Sequence, residues 1–339
     1  MAASKTKTVK LQFLRHETIL LLVLVFEWFY FNSVGPNFGS LDNTFDLVRH
    51  SVEIGLLALV MTPIILTGGI DLSVGSLLGL CAIIFGKLWR DAGLSPVMAG
   101  VCTLGFGALA GGLNASLITW LRLPPLIVTL GTYSLFRGLA EAITHGADTF
   151  TNFPASFLFL GQERWLGVPA QAPVFLVVAV AIWLLVHRTT FGRSFRAIGF
   201  APEGARYAGI PVERRIAFVY VLAGVVAALA AIIYTARLGQ AKADAGTGYE
   251  LFAITAVVLG GTSIFGGVGS VHGTLLGVAA IAVLNNGLVH ARQPREVAGM
   301  LTGALLLLAL SGSVVPKMLA MRWSRRQTSS TNIQPVKTA

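Results

Sequence analysis

Charged residues are scarce in this sequence of 339 residues. Asp, Glu, Lys and Arg make up 12% of the chain and hydrophobic residues 55%, whereas a soluble globular protein carries about 25% charged residues. The 25 basic and 15 acidic residues are spread unevenly, so that whole stretches carry no charge. This composition excludes a water-soluble enzyme and an intrinsically disordered chain. Because a membrane span needs roughly 20 apolar residues, the chain has room for about ten spans and no large soluble domain.

Cysteine pairs and catalytic patterns are also missing. The 2 cysteines, Cys81 and Cys102, lie in apolar runs, so we expect packing residues rather than a disulfide framework. The 6 histidines have no spacing typical of a metal site, and we expect neither a metal nor a cofactor. Without a nucleophile elbow, an H-E-x-x-H motif or paired carboxylates inside the spans, the chain is not expected to be an enzyme. It also lacks a phosphate-binding G-x-x-x-x-G-K-[ST] loop, so a separate polypeptide must supply any ATP energy.

Basic residues exceed acidic residues, which gives a formal net charge of +10 and a pI near 10.1. Basic segments that flank membrane spans and contact lipid headgroups explain this excess. No basic stripe is interleaved with aromatic residues in a soluble segment, as nucleic-acid binding would require. We therefore expect membrane lipid, and no nucleic acid, among the partners.

Ten apolar runs follow one another along the chain. The first, from Thr18 to Tyr30, follows a basic head and ends in the bulky segment 27–31 rather than in a small-residue cleavage site. It is therefore predicted to be a retained span and not a signal peptide. The sequence predicts an all-α polytopic integral membrane protein with about ten transmembrane helices. The other nine runs cover 52–68, 72–89, 97–121, 124–143, 172–187, 216–236, 251–266, 270–289 and 298–315.

The distribution of positive charge predicts the orientation in the membrane, because cytoplasmic loops retain Lys and Arg. The loop 187–215 is the most basic and carries six arginines. With this loop inside and an even number of spans, both termini are cytoplasmic. The predicted organisation is a cytoplasmic basic head over 1–17, a transmembrane domain over 18–315, and a disordered cytoplasmic tail over 316–339.

Two glycine-rich joints each separate a pair of closely spaced apolar runs. The first, residues 66–76, reads LTGGIDLSVGS, and the second, residues 259–270, reads LGGTSIFGGVGS. Glycine permits close backbone approach, as in the broken helices of transporters. A tight turn at the membrane surface explains the same pattern, and the sequence leaves both interpretations open.

Ionisable residues inside apolar runs need partners or a water-filled path. Arg137 and Glu141 are four residues apart on one helical face, so we expect a structural ion pair rather than substrate ligands. Asp71, shortly before Ser73 at the first joint, is expected to cap the helix that follows, with substrate contact as the alternative.

Two adjacent amides near the outer end of the ninth run have two equally good interpretations. Asn285 and Asn286 fit a contact with a hydroxylated solute as well as a hydrogen bond between neighbouring helices. Together with Asp71 and Ser73, they are the candidates for lining a substrate pathway.

The basic loop contains a short segment with helix signals at both ends. Pro202 suits the first turn of a helix, and Gly209 suits its end. A helix of about seven residues is marginal in water and needs a partner surface to stay folded. A loop lying on anionic lipid headgroups is the alternative.

Four motifs occur in an order that is typical of one family. The chain resembles the permease subunits of bacterial ATP-binding-cassette (ABC) importers for ribose-type sugars. Such permeases work in pairs, receive sugar from a periplasmic sugar-binding protein and are driven by a cytoplasmic ABC ATPase. The resemblance implies these partners, a multi-pass location in the bacterial inner membrane and an alternating-access mechanism. The motifs are GIDLSVGS at 69–76, FGRSFRAIG at 191–199, AVVLGGTSIFGG at 256–267 and LNNGL at 284–288.

In the resembled family, the segment after the FGR motif forms the coupling helix that docks into the ATPase. Glu203, Ala205, Arg206 and Gly209 match the family pattern, whereas Gly204 stands where alanine is usual. The resemblance therefore implies that these five residues couple the permease to its ATPase. A glycine inside a helix costs roughly 0.5–1 kcal/mol relative to alanine, so we expect a looser docking helix here.

The resemblance implies a monosaccharide or a related small sugar as cargo. Ribose, rhamnose and the furanosyl signal autoinducer-2 are all compatible, and the segments 79–83 and 293–297 favour the rhamnose and autoinducer-2 branches. The alternative is an ion-coupled secondary sugar transporter, which would place unpaired carboxylates in the middle of its spans. The second permease chain is either identical or different, and the sequence does not decide between them.

Overall fold

The computed structural model describes residues 2–294, 296–309 and 311, so the predicted tail lies outside the described residues. One short antiparallel hairpin, β1 (Arg164–Trp165) and β2 (Val168–Pro169), accompanies the helices of this part of the chain. The helices are α1 (Ala2–Val34), α2 (Leu41–Leu66), α3 (Val74–Arg90), α4 (Pro96–Thr119), α5 (Pro125–Ile143), α6 (Ala155–Gln162), α7 (Ala172–Arg188), α8 (Thr190–Phe200), α9 (Pro202–Tyr207), α10 (Val212–Leu238), α11 (Tyr249–Leu259), α12 (Val271–His290) and α13 (Glu296–Ala309).

Six of the described helices are long and apolar enough to cross a membrane: α1, α2, α4, α5, α10 and α12. Helices α7 and α8 form a seventh span if the 66° bend between them is counted as a break in one span. The prediction of an all-α membrane protein is confirmed. Helix α3, with 17 residues, is only about 25 Å long, and α11 has 11 residues. Both are shorter than the hydrocarbon core of about 30 Å.

Helix α2 lies at the centre of the bundle, where it packs against α7, α10, α11 and α12. Its second half is buried almost throughout, from Val52 to Leu66. Helices α4 and α5 instead expose large apolar side chains, among them Leu109 and Ile127. Apolar surface on the outside of a bundle is typical of contact with lipid, so these helices mark the membrane-facing side.

The first glycine joint is an irregular segment inside the bundle. Ser73, at its end, has no exposed surface, and its hydroxyl accepts a hydrogen bond from Asn114 of α4. The two joints also contact each other, because the amide of Gly267 donates to the carbonyl of Leu66 at 3.0 Å. The second joint reaches the surface at Phe265, which is 65% exposed. The first joint is therefore buried at Asp71 and Ser73 and exposed at Gly68.

The N-terminal turns of α3 and α11 lie side by side. A Cβ atom on Gly75 would collide with the carboxylate of Glu250 and lie 2.6 Å from the carbonyl oxygen of Gly246. Glycine is therefore needed at position 75 for the two helices to approach so closely. Because both helices begin at this contact, α3 and α11 are two short helices whose positive dipole ends meet inside the protein.

Candidate functional site

The segment predicted to dock the ATPase forms a separate short helix, α9. Pro202 is its first residue, and Gly209 beyond its end has a left-handed φ of +79°. This conformation lets the amide of Ile210 donate to the carbonyl of Ala205 at 3.0 Å, a common way to end a helix. The helix boundaries predicted from Pro202 and Gly209 are confirmed.

Arg206 connects α9 to the start of α10. Its guanidinium donates to Glu203 at 2.6 Å within α9 and to Glu213 at 2.5 Å in α10. These two carboxylates raise the pKa of Arg206, because they stabilise its charged form. On the other side of α9, Ala205 is buried against Ile198. The short helix is therefore held by its own chain.

The outward face of α9 combines aromatic and acidic side chains. Tyr207 is 92% exposed and Phe200, just before the helix, is 69% exposed. The side chain of Glu203 is 74% exposed although it pairs with Arg206, and Gly204 is exposed beside it. Exposed aromatic residues are typical of the centre of a protein interface. This face, Phe200 to Tyr207, is called the docking surface below.

Gly199, the residue that precedes the docking surface, is in direct contact with both glycine joints. A Cβ atom on Gly199, at the end of α8, would collide with the carbonyl of Leu66 in the first joint and with the amide of Gly267 in the second. Glycine at 199 therefore allows three backbone segments to touch. These backbone contacts connect the end of α8 directly to both joints.

Ser73, and not Asp71, is the N-cap residue of α3, and its side chain makes no capping hydrogen bond, so the prediction that Asp71 caps the helix is corrected: Asp71 holds the N-cap residue instead. Its Oδ1 accepts hydrogen bonds from the amide of Ser73 at 2.8 Å and from the hydroxyl of Ser73 at 2.6 Å. Asp71 is 2% exposed, and Ser73 is also held by Asn114. These contacts give both residues a structural role at the first joint.

Asn286 joins two helices. Its amide exchanges two hydrogen bonds of 2.9 Å with Asn43 of α2, and the Nε2 atom of His290 lies 2.8 Å from the Asn43 Oδ1 atom. Of the two interpretations, the structure supports the helix-joining one for Asn286. Asn285 differs, because its Oδ1 atom is buried without a hydrogen-bond partner among the described residues.

The predicted ion pair between Arg137 and Glu141 is not present. Arg137 donates instead to the carbonyl oxygens of Ala243 and Ala245, the latter at 3.0 Å. Glu141 is exposed and lines a surface cleft together with Asp148. The segment between α10 and α11 is irregular, so its carbonyl oxygens need hydrogen-bond donors from elsewhere, and the guanidinium of Arg137 supplies them.

The site residues predicted from the sequence do not include two carboxylates that are buried in the structure. Glu53 of α2 pairs with Arg237 of α10 at 2.7 Å, and their side chains are 0% and 9% exposed. Glu250 is 7% exposed, and its Oε2 atom has no hydrogen-bond partner in the part of the chain that the structure describes. Each of these residues lies near the end of an apolar run, where a carboxylate usually indicates an interfacial position. Within the described residues, no three His, Cys, Asp or Glu side chains form a group that could hold a metal ion.

Comparison with known proteins identifies the family. Residues 43–310 match the family described as "Branched-chain amino acid transport system / permease component". The autoinducer 2 import system permease protein LsrD of Escherichia coli (strain K12) is 37% identical over 304 residues, which cover 88% of this chain and 92% of the relative. The protein of the same name from Shigella flexneri is similar to the same extent. The chain belongs to this permease family. No solved structure matches it.

Membership of the permease family confirms the resemblance seen in the sequence. The chain is a transmembrane permease subunit of an ABC importer and is not itself an enzyme. It is a multi-pass protein of the inner membrane. An importer of this class also needs an ATPase and a binding protein.

Proposed function

We propose that this permease carries a small furanosyl sugar of the autoinducer-2 type into the cytoplasm. The observation that carries the proposal is the 37% identity, over 88% of the chain, to permeases named for autoinducer 2 import. The comparisons give no such support to ribose or rhamnose, the other two cargoes compatible with the sequence. A cytoplasmic ABC ATPase, a periplasmic sugar-binding protein and a second permease chain complete the importer.

In this proposal, the docking surface is the contact with the ATPase. Two exposed aromatic residues, Phe200 and Tyr207, flank the exposed carboxylate of Glu203 there. Closure of the ATPase pair on ATP draws the two docking surfaces of a permease pair together. The contacts of Gly199 with both joints support transfer of this movement to α3 and α11. The result is alternating access to a path for the sugar.

The proposed membrane arrangement has ten membrane-embedded helices and both termini in the cytoplasm. Beyond the six long helices, α3, α7, α11 and α13 coincide with the four remaining apolar runs. The arginines of the segment 187–215 support a cytoplasmic position for α8 and α9. The head over 1–17 and the tail over 316–339 then lie on the same side as the ATPase.

An ion-coupled secondary transporter is the alternative function. It would work without an ATPase and would use an ion gradient. Glu53 is paired with Arg237, and Glu250 lies in the first turn of α11, so neither is the unpaired carboxylate in the middle of a span that such a transporter would need. The matched relatives are permeases of import systems, which favours the ABC importer.

Transport by the reconstituted importer tests the proposal. Vesicles containing the permease pair and its ATPase, supplied with the binding protein, should accumulate labelled autoinducer-2 only when ATP is present. Ribose and rhamnose in excess should compete weakly. Stronger uptake of ribose or rhamnose would contradict the cargo, and uptake driven by a proton gradient without ATP would favour the alternative.

A further inference from the structure

Helix α7 presents an exposed apolar stripe that ends in an arginine. Val177, Val180 and Leu184 are 68%, 47% and 44% exposed, and their spacings of three and four residues place them on one side of the helix. Arg188 follows Leu184 by four residues on the same side and is exposed. It is the last residue of α7, and the chain bends by 66° between α7 and α8. An apolar stripe that ends in a cation matches the two parts of a phospholipid, the acyl chains and the headgroup.

Trp183 brings a second polar side chain, His272 of α12, to the end of α7 where Arg188 lies. The indole Nε1 atom donates to the His272 Nε2 atom at 2.6 Å, and the guanidinium carbon of Arg188 lies 5.2 Å from the centre of the indole ring. Because an indole nitrogen only donates, Nε2 of His272 is the acceptor and its ring carries the proton on Nδ1. His272 is exposed. Its Nδ1–H group is therefore a donor for a ligand that binds beside Arg188.

Two further donors face each other next to His272. The ring of His187 lies 4.8 Å from the ring of His272, and its Nε2 atom accepts from the amide of Val271 at 3.1 Å. The proton of His187 is therefore on Nδ1. The Nη2 atom of Arg196 lies 3.5 Å from this Nδ1 atom, and a guanidinium only donates. Neither group satisfies the other, so an anionic oxygen placed between them would accept from both.

These side chains carry positive charge that the described residues do not neutralise. They are called the basic cluster below and consist of Trp183, His187, Arg188, Arg196 and His272. Within the described part of the chain, neither Arg188 nor Arg196 forms an ion pair with a carboxylate. The carboxylate of Glu17 is close to this end of α12, but it accepts from the hydroxyl of Ser270 at 2.9 Å. One carboxylate with its own partner does not balance two guanidinium groups, so the cluster favours an anion.

We propose that the basic cluster and the apolar stripe of α7 together bind a phospholipid whose headgroup has a net negative charge. The phosphate accepts hydrogen bonds from Arg188 and His272, and an acyl chain lies along Val177, Val180 and Leu184. A free phosphate would leave the apolar stripe uncovered, and a lipid without net charge would leave the cations unbalanced. In the proposed membrane arrangement, the site faces the cytoplasmic leaflet. The inference goes beyond the proposed function, because it does not depend on the cargo.

Lipid binding to the complete purified permease tests the site. Native mass spectrometry measures the affinity for phosphatidylglycerol, which is anionic, and for phosphatidylcholine, which has no net charge. The unaltered permease should bind phosphatidylglycerol more tightly, and this lipid should raise its melting temperature. Arg188→Gln should weaken phosphatidylglycerol binding about fivefold, the contribution of one basic residue near a membrane surface, and should leave phosphatidylcholine binding unchanged. Arg214→Gln removes the same charge from an exposed residue of α10 outside the basic cluster and, as the matched control, should bind like the unaltered protein.

A second variant keeps the test decisive if Arg188→Gln does not fold. His272→Leu replaces an exposed side chain and removes the Nδ1 donor without changing the charge of the neutral ring. It should also weaken phosphatidylglycerol binding, because the proposed site uses a directed hydrogen bond in addition to charge. Unchanged binding in His272→Leu would contradict the site.

Four other outcomes would overturn the proposal. Equal losses in Arg188→Gln and Arg214→Gln would indicate a general attraction between a basic surface and anionic lipid. Equal affinity for the two lipids would show that the headgroup charge is not recognised. If inorganic phosphate raised the melting temperature as much as phosphatidylglycerol, the ligand would be a free anion. If Arg188→Gln released the ATPase while lipid binding stayed unchanged, the cluster would be an ATPase contact. The lipid measurements require no transport, so their failure is distinct from a failure of the proposed function.

Discussion

Glu53 and Arg237 form an ion pair in the interior of the bundle, between α2 and α10. The two charges are almost fully withdrawn from solvent, so each depends on the other for stabilisation. Removal of one partner leaves an uncompensated buried charge, which costs about 3–5 kcal/mol. Replacement of both by apolar residues of similar size is often nearly neutral.

Glu53→Ala should therefore greatly reduce the amount of folded permease, whereas the double variant Glu53→Leu with Arg237→Leu should retain more of it. The melting temperature in detergent measures this difference. Asp42→Ala removes an ion pair of the same length, 2.7 Å to Arg164, but at the surface, and should change little. Equal melting temperatures for Glu53→Ala and the double variant would contradict the interpretation.

Arg137 is expected to matter more for stability than Glu141, because only the arginine has partners in another part of the chain. Its donation to Ala243 and Ala245 holds the segment between α10 and α11. Arg137→Leu should lower the melting temperature and expose that segment to protease, at a cost of roughly 1–3 kcal/mol. Glu141→Ala, the matched control, should behave like the unaltered protein. If both substitutions lowered the melting temperature equally, the result would support the ion pair between Arg137 and Glu141 that the sequence predicts.

At the scale of secondary structure, the docking surface provides the most direct test of coupling. Glu203→Arg places a second cation beside Arg206 and removes one of its two carboxylates. The outcome should be weaker co-purification of the ATPase and lower uptake, because an unmatched charge at an interface adds repulsion. Glu163→Arg, a charge reversal next to the hairpin, should leave ATPase binding intact. A lipid-contacting segment would instead tolerate the added Arg.

Substitution of Gly199 or Gly204 distinguishes the backbone packing at the joints from the stability of the docking helix. A Cβ atom on Gly199 would collide with Leu66 and Gly267, so Gly199→Ala should cost about 1–3 kcal/mol and weaken coupling between ATP hydrolysis and uptake. On Gly204 it would lie 3.4 Å from Ala201, an acceptable contact. Gly204→Ala should therefore stabilise α9 by roughly 0.5–1 kcal/mol. Thermal melting and uptake per ATP hydrolysed distinguish the two; similar results for both would argue against the backbone contact at Gly199.

The positions of the helices could be predicted from the sequence better than their lengths. Each apolar run coincides with a helix because burial in lipid or in the bundle requires a continuous hydrogen-bonded backbone. The short length of α11 could not be predicted, because the apolar sequence continues beyond the helix into the second joint. Helix α6 and the hairpin were missed because contacts distant in sequence hold them, such as Arg164 with Asp42 and Gln162 with the carbonyl of Arg237.

The candidate site was predictable where its signals are local. Pro202 and Gly209 mark the ends of α9, and Asp71 accepts a hydrogen bond from Ser73, the N-cap residue of α3, two residues away. The partners of Arg137 lie more than a hundred residues further along the chain, so no local spacing could identify them. Asn285 and Asn286 are neighbours in sequence, yet only their tertiary contacts distinguish a helix-joining amide from one whose oxygen has no partner among the described residues.

For the molecule as a whole, the contacts connect the docking surface to the centre of the bundle. The docking surface adjoins Gly199, and Gly199 contacts both joints. The first joint leads to the start of α3, and the second joint follows the end of α11. Glu250 and Gly75 bring the N-terminal turns of these two helices together. Coupling through these contacts requires that α9 faces the cytoplasm, because the ATPase lies there.

Cysteine labelling tests that assumption. The background is Cys102→Ala, because Cys102 is exposed and Cys81 is buried. In intact cells a membrane-impermeant maleimide should label Trp165→Cys, on the 53% exposed hairpin residue, and not Tyr207→Cys, although Tyr207 is 92% exposed. After the membrane is permeabilised, both variants should react, since both side chains are accessible to solvent. Labelling of Tyr207→Cys in intact cells would place the docking surface outside, away from any ATP, and would contradict the orientation deduced from the arginines of the segment 187–215.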